Sequence, residues 1–299
     1  MLSILVPTYN YNVLPLVQEL QFQAKREHIE FEIIVLDDAS TNDATISKNQ
    51  QIGLIDNCKY KLLQQNIGRS KIRNLLAKKA QYSWLLFLDA DTMPTTPDLI
   101  CQYLQYLNAE EKAVYGGIEY QHQKPPREKL LRWVYGRDRE ALHVGPREDM
   151  PYRSFLTMNF AISKSIFEKV TFNEDIQSLQ YGYEDVLFAY NLNQKGIRIQ
   201  HIHNPVCHNG LELGEAFIAK SETATKSLKY LIENNLLPAD YIRLGAAWCK
   251  LKKFGMAGFV AKTFCSFRGR LLKNLLGPRP SMIVFDLYRL GYLCTLKQP

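Results

Sequence analysis

A chain of 299 residues, 46% hydrophobic and 22% charged, has ordinary globular composition and room for one large or two smaller domains with a real core, which excludes a fibrous or wholly disordered protein. Its six cysteines (Cys58, Cys101, Cys207, Cys249, Cys265 and Cys294) are scattered without CxxC spacing. That excludes a zinc framework or a dense disulfide scaffold and makes a reducing compartment the expectation. The net charge of +7 is uneven: residues 241–299 hold eleven Lys/Arg against one acid, Asp286, so the rest of the chain is slightly acidic.

The opening MLSILVPTYN lacks a basic n-region and a small-residue cleavage site, so it is expected to be a first strand, not a leader. Nowhere does a charge-free apolar run reach the roughly 18 residues needed to span a bilayer. In chain order, strands are expected at Leu2–Val6, Phe31–Leu36, Tyr60–Leu63, Trp84–Leu88 and Ala113–Ile118, with helices at Val13–Arg26, Arg69–Lys79 and Pro97–Leu107 between them. This alternation points to an α/β fold with a mainly parallel sheet covered by helices. In such sheets ligands bind beyond the carboxyl ends of the strands. Four strand tips in succession are polar there: Pro7-Thr8-Tyr9-Asn10, Asp37-Asp38-Ala39-Ser40, Asn66-Ile67-Gly68-Arg69 and Asp89-Ala90-Asp91. Neither GxGxxG nor GxxxxGK[ST] follows the first strand, so neither of those phosphate loops is available.

The stretch FLDADT, residues 87–92, ends five large apolar side chains with two carboxylates. Carboxylates so close repel, and burying one unpaired is costly, so a positive group is expected between them. The alternative is local: Asp91 or Thr92 capping a turn before Met93-Pro94.

Beyond it, residues 119–158 are polar and punctuated by Pro and Gly, and read as a long irregular, mobile loop. Trp133 and Tyr135 in this stretch either stack on a ligand ring or pack as core contacts of a short amphipathic helix. Thr157–Phe160 reads as a strand edge. In YGYEDVLFAYNLNQKG, residues 181–196, Gly182 breaks the chain and Glu184 and Asp185 open a helix, where the macrodipole favours acids. In IQHIHNPVCHNG, His201 and His203 fall two apart on an expected strand, on one face. Two histidines make no zinc site, and Cys207 and His208 complete no known pattern. From Phe254 to Leu276, apolar residues recur at helical spacing with Lys262, Arg268, Arg270 and Lys273 mostly off the stripe. Such a helix suits a membrane surface or ordinary packing on the rest of the chain. Residues 278–293 offer a second docking element, and no nucleic-acid recognition motif accompanies the charge.

Taken in order, VPTYN, VLDDAS, NIGRSKIRN, FLDADT and YGYEDVLF resemble the inverting family 2 glycosyltransferases of GT-A fold, over about residues 1–210. The resemblance implies a Rossmann-like GT-A domain at 1–212, divided into a nucleotide-sugar-binding half (1–118) and an acceptor and catalytic half (119–212). A basic helical extension follows at 213–299. It implies Mn²⁺ or Mg²⁺ as the positive group, held by Asp91 and Asp89, with His208 as a further ligand or else a hydrogen-bonded turn residue. Pro7, Thr8 and Tyr9 correspond to the base and ribose shelf, and Asp38 to the acceptor of a uracil N3–H. Asn66, Gly68, Arg73 and Asp89 complete the donor side. Arg73 has an equal alternative on a solvated helix face beside Lys71, Lys78 and Lys79.

On the same footing Asp185 is the general base, Glu184 holds the acceptor, and Trp133 and Tyr135 stack on it. The expected reaction is transfer from a nucleotide sugar, most simply a UDP-sugar, to a saccharide or lipid-linked saccharide in surface polysaccharide synthesis. The expected location is cytoplasmic, peripheral on the inner face of the cell membrane through the basic C-terminal helices, without nucleic acid. The competing readings are an inactive sugar-nucleotide-binding scaffold and a sugar-nucleotide pyrophosphorylase; VPTYNYN lacks the Gly-rich basic loop the latter needs.

Overall fold

The structure is a computed structural model that describes residues 1–108, 111–174 and 181–296. In chain order the elements are β1 (Leu2–Thr8), α1 (Leu14–Arg26), β2 (Phe31–Asp37), α2 (Asp43–Gln50), β3 (Cys58–Leu62), α3 (Arg69–Lys79), β4 (Trp84–Leu88), β5 (Thr92–Pro94) and α4 (Leu99–Leu104). Then come β6 (Ala113–Tyr115), β7 (Ile118–Glu119), α5 (Leu130–Tyr135), α6 (Val144–Glu148), β8 (Asn159–Ser163), α7 (Lys164–Lys169), α8 (Glu184–Gln194), β9 (Ile199–His201) and β10 (Val206–His208). Four helices close the chain: α9 (Gly214–Glu233), α10 (Arg243–Lys253), α11 (Ala257–Leu275) and α12 (Met282–Thr295).

Contacts divide the chain into two compact units. The first comprises Met1–Gln121, Glu140–Glu174 and Phe188–Gly210; the second comprises His122–Arg139, Asp175–Leu187 and Leu211–Pro299. The division is not a single cut at 212/213: residues 122–139 and the first turn of α8 group with the C-terminal helices.

The first unit is built on a seven-stranded sheet of order β3-β2-β1-β4-β8-β6-β9. The four strands at one end of that order run parallel, and β8 is antiparallel to both its neighbours. Strands β1, β2 and β4 are almost continuously apolar because both faces are covered. Their aromatic core includes Phe87 stacked on Phe160 (centroids 4.9 Å) and Phe172 on Phe188 (4.2 Å). A small second sheet, β5-β10-β7, stands at the end of β4.

Several expectations are corrected. The strand expected at Ala113–Ile118 splits, β6 joining the large sheet and β7 the small one, with Gly117 at φ +96° between them. The Thr157–Phe160 stretch is no edge: β8 is internal, and buried Asn159 ties it to its surroundings, donating to the Gly117 and Asn204 carbonyls and accepting from the Tyr103 hydroxyl. The 119–158 segment is not irregular, since it holds β7, α5 and α6 and buries Arg147. His203 lies past the end of β9 and is exposed, so it does not share a strand face with His201.

The second unit packs α5, α9, α11 and α12 around Leu131, Phe217, Phe264, Leu275, Phe285 and Tyr288. Gly291 lets α12 approach α11 closely, because a Cβ there would lie 2.5 Å from the Phe264 ring. Among the described residues no helix is long and apolar enough to cross a membrane.

His201 is a pH-sensitive part of the first unit. Its Nε2 meets the Pro151 carbonyl at 2.9 Å, and its buried Nδ1 has no partner among the described residues. Burial, with a smaller contribution from the Arg147 charge, lowers its pKa to about 4 against the raising effect of the Pro151 bond. The unfolded chain therefore binds this proton below pH ~6.5 while the folded chain refuses it until about 4, so stability is lost as the pH is lowered across that window. We expect thermal melts to show a loss on the order of 2 kcal/mol between those pH values, and His201→Gln to remove that part of the pH dependence.

Candidate active site

The four polar tips lie at the carboxyl ends of adjacent parallel strands. At β1, Thr8 donates to the Tyr11 carbonyl (3.2 Å), and Tyr9 leaves its ring half exposed. Asn10, at φ +50°, clamps the next tip: its side-chain oxygen accepts from the Thr41 and Asn42 amides while its own amide donates to Ser40 Oγ. At β2, Asp37 is fully buried and accepts from the Ser40 amide and the Tyr60 hydroxyl at 2.8 and 2.7 Å. Pro7 runs within β1, paired to Leu36.

Asp38 accepts from the Ile67 amide (2.7 Å) and the Gly68 amide (3.0 Å), and Asn66 donates to its carbonyl. Its carboxyl is nevertheless raised above the usual range, because burial, helped by the Asp37 charge, outweighs those two bonds. The NIGRS loop is thus held to the β2 tip by Asp38, and Gly68 adopts φ +83° where α3 begins.

The question raised by FLDADT has a two-part answer in the chain itself. Asp89 pairs with Arg73 at 2.6 Å, and both side chains are largely buried. Arg73 is therefore not on a solvated helix face; its guanidinium also stands over the Phe172 ring. Breaking such a pair by removing one partner typically costs about 3–5 kcal/mol. Asp91 meets His208 instead, Oδ2 to Nε2 at 3.1 Å. The turn between the two is closed by Thr92, whose amide and hydroxyl both donate to the Asp89 carbonyl.

Register explains the second pair. Strand β10 runs antiparallel to β5 with His208 opposite Thr92, and the Asn209 amide donates to the Asp91 carbonyl. Burial would raise the Asp91 carboxyl, but the bond to His208 and that residue's charge, with Arg69 nearby, hold it below its ordinary value. Asp91 also helps raise the Tyr11 phenol, after burial. Gly210 completes the cradle: a Cβ there would sit 2.0 Å from Asp91 Oδ2.

The family resemblance implies Asp89, Asp91 and His208 on one ion; the structure brings Asp91 and His208 together and turns Asp89 to Arg73. No group of three or more His, Cys, Asp or Glu able to hold a metal occurs among the described residues. The donor chemistry of Asp91 and His208, a hard carboxylate oxygen beside an imidazole nitrogen, fits Mn²⁺ or Mg²⁺ with the remaining positions left to a ligand. The His208 ring packs edge-on to Tyr120, whose hydroxyl donates to Glu140. Neither Tyr120, Glu140 nor Gly210 was legible in advance; the only local hint was the HNG turn after β10.

In the second unit, Glu184 and Asp185 form the first turn of α8. The Val186 amide donates to the Asp185 carboxylate at 2.8 Å. The preceding turn is built from Gly182 (φ +93°) and Tyr183 (φ +67°). A side chain in that left-handed region is uncommon and needs support. It comes from Arg289 on α12, whose Nη2 donates to the Tyr183 hydroxyl at 2.5 Å. Tyr135 packs between Phe217 and Phe285, at 5.1 and 5.4 Å, in the core of this unit. Trp133 is half-buried with Arg137 over its ring at 4.7 Å.

A Rossmann-like α/β domain with carboxylates at the tips of its parallel strands is the class these features define. The model of the glycosyl transferase family 2 matches residues 3–172, more than half of the 299 residues, and the chain belongs to that family. It is 24% identical over 223 residues to a hyaluronan synthase of Pasteurella multocida, a match covering 65% of this chain and 23% of that protein. The chain thus spans about a quarter of that relative's length. Among solved structures it resembles a mannosyltransferase from Pyrobaculum calidifontis in complex with GDP-Man and Mn²⁺ (TM-score 0.58, 16% identity, covering 98% of this chain and 86% of that one). It also resembles residues 1–349 of S. aureus TarS in complex with UDP-GlcNAc (TM-score 0.53, 17% identity, 98% and 89%). Both likenesses concern the fold.

One substitution isolates the Asp91 cradle. Gly210→Ala should leave the circular dichroism spectrum intact while displacing Asp91 Oδ2. Calorimetric titration of nucleotide sugar in the presence of Mn²⁺ should then show affinity lowered about 10–100-fold.

Proposed function

We propose that this family 2 transferase is inverting and metal-dependent, and moves a hexosyl or hexosaminyl group from a nucleotide sugar to a saccharide or lipid-linked saccharide in surface polysaccharide synthesis. The observation that carries the reading is the Asp91–His208 pair at the tip of β4. When bound there, the divalent ion would offset the charge that develops on the departing diphosphate. Pro7, Thr8 and Tyr9 form the shelf for base and ribose. Asn66 and Gly68 shape the loop beside it, while Arg73 orients Asp89 toward the ribose and sugar.

An ionised Asp38 only accepts hydrogen bonds, so it suits a base whose ring nitrogen carries a proton, uracil at N3 or guanine at N1, and disfavours cytosine, whose N3 is itself an acceptor. The two structural neighbours carry donors of those two kinds; the family resemblance of Asp38 favours the UDP-sugar. Asp185 removes the acceptor hydroxyl proton, the acceptor oxygen bonds to the anomeric carbon, and the bond to the diphosphate breaks with the nucleoside diphosphate leaving. Attack from the face opposite the leaving group inverts the anomeric centre. Glu184 and Trp133 hold the acceptor; Tyr135 supports Trp133's helix from the core side.

Nucleoside diphosphate release across a panel of UDP- and GDP-sugars tests this directly. We expect one donor to be consumed with Mn²⁺ or Mg²⁺ and none after chelation, with the product's anomeric configuration inverted by NMR. Asp185→Asn should keep donor affinity and lose turnover by about 10²–10⁴-fold. A chain that binds no nucleotide sugar in any metal, or an Asp185→Asn variant with unchanged turnover, would overturn the assignment.

A further inference from the structure

The C-terminal helices present a surface to which the proposed transfer assigns no residue. Helix α11 buries one face through Phe264 and Leu275. Opposite that face lie Phe259, Lys262, Arg270 and Lys273, with Phe267 on its flank, all exposed, and the helix contains no acid. Phe259 is 70% exposed, and Phe254, in the turn before the helix, 72%. The Arg270 guanidinium lies over the Phe267 ring at 5.2 Å. A helix that had merely packed on its neighbours would keep its aromatic residues on the inner face. Here rings stand outward among cations; α12 separately exposes Ile283 (73%) and Leu287 (54%), four residues apart.

We propose that this outer face of α11, with the Phe254 turn, docks on the surface of an anionic lipid bilayer. Basic side chains meet the headgroup charge, while the phenylalanines enter the boundary between headgroups and acyl chains. With no helix among the described residues fit to cross, this contact lies on the membrane and does not span it. A second copy of the chain is a poorer occupant, because a two-fold contact through this face would set its cations against themselves. Nucleic acid is poorer too. No nucleic-acid recognition motif accompanies the charge.

The test uses the full chain and no sugar donor, so its result is separate from that of the transferase assignment. Co-sedimentation with vesicles of phosphatidylcholine alone is compared with vesicles that also contain phosphatidylglycerol, at low and high salt. We expect binding to the anionic vesicles to exceed that to neutral ones by at least about tenfold and to weaken with salt. Both the triple variant Phe254→Ser/Phe259→Ser/Phe267→Ser and the charge variant Lys262→Glu/Arg270→Glu/Lys273→Glu should lose it. Each variant is checked for fold by circular dichroism. As a second reading on an otherwise unaltered chain, the fluorescence of a Phe259→Trp variant should be quenched by lipids brominated in the acyl chain. Absence of vesicle binding at low salt, binding that survives the phenylalanine variant without quenching, competition by single-stranded RNA with no quenching, or a dimer in light scattering that the charge variant dissolves would each overturn the proposal.

Discussion

Everything at the site follows from one electrostatic constraint: two carboxylates, two residues apart, at the end of a buried strand. Left to face each other they would repel and drive one another toward protonation. The fold separates them. Arg73, reaching from α3, takes Asp89, and His208, carried in by β10, takes Asp91. Each carboxylate stays usable because its counter-group comes from a different element. The small sheet, which looks like decoration beside the large one, is the part that sets His208 opposite Thr92 and thus beside Asp91. Gly210 belongs to the same solution, since any side chain there would collide with the carboxylate.

The strand tips around this pair are held by their own hydrogen bonds. Asn10 and Asp37 lace the first two tips together, and Asp38 pins the loop that opens α3. Most of these groups would cost more unpaired than they gain when paired, so the network fixes positions more than it adds stability. The second unit uses the same logic at the turn before Glu184 and Asp185, where Arg289 supports a backbone conformation Tyr183 would otherwise avoid. The C-terminal helices are therefore more than an appendage: one of them braces the turn that presents the acids, and another exposes the basic aromatic face.

Local elements were legible because local chemistry sets them. Trp84–Leu88 and Arg69–Lys79 matched their expected bounds to the residue, since five apolar residues buried on both faces and a glycine-led helix start are readable within a short window. The polar strand tips and the family were legible for the same reason, each motif being a few adjacent residues in a fixed order. Where the reading failed, distant partners decided. Ala113–Ile118 looks like one strand until Gly117 turns it into two sheets. The 119–158 stretch looks irregular because its helices are only five or six residues long, too short for periodicity to register.

By itself, then, the sequence determined the α/β alternation, the chemistry at each strand tip and the basic, aromatic C-terminal helix, all consequences of side-chain type at short spacing. Only the tertiary structure decided which charge answers which. Asp89 and Arg73 are 16 residues apart, Asp91 and His208 117, and no local preference encodes a choice of partner over such distances. Burial makes that choice: once β4 is enclosed, each carboxylate must be satisfied by whatever cation or donor the packing of α3 and the register of β10 bring within reach.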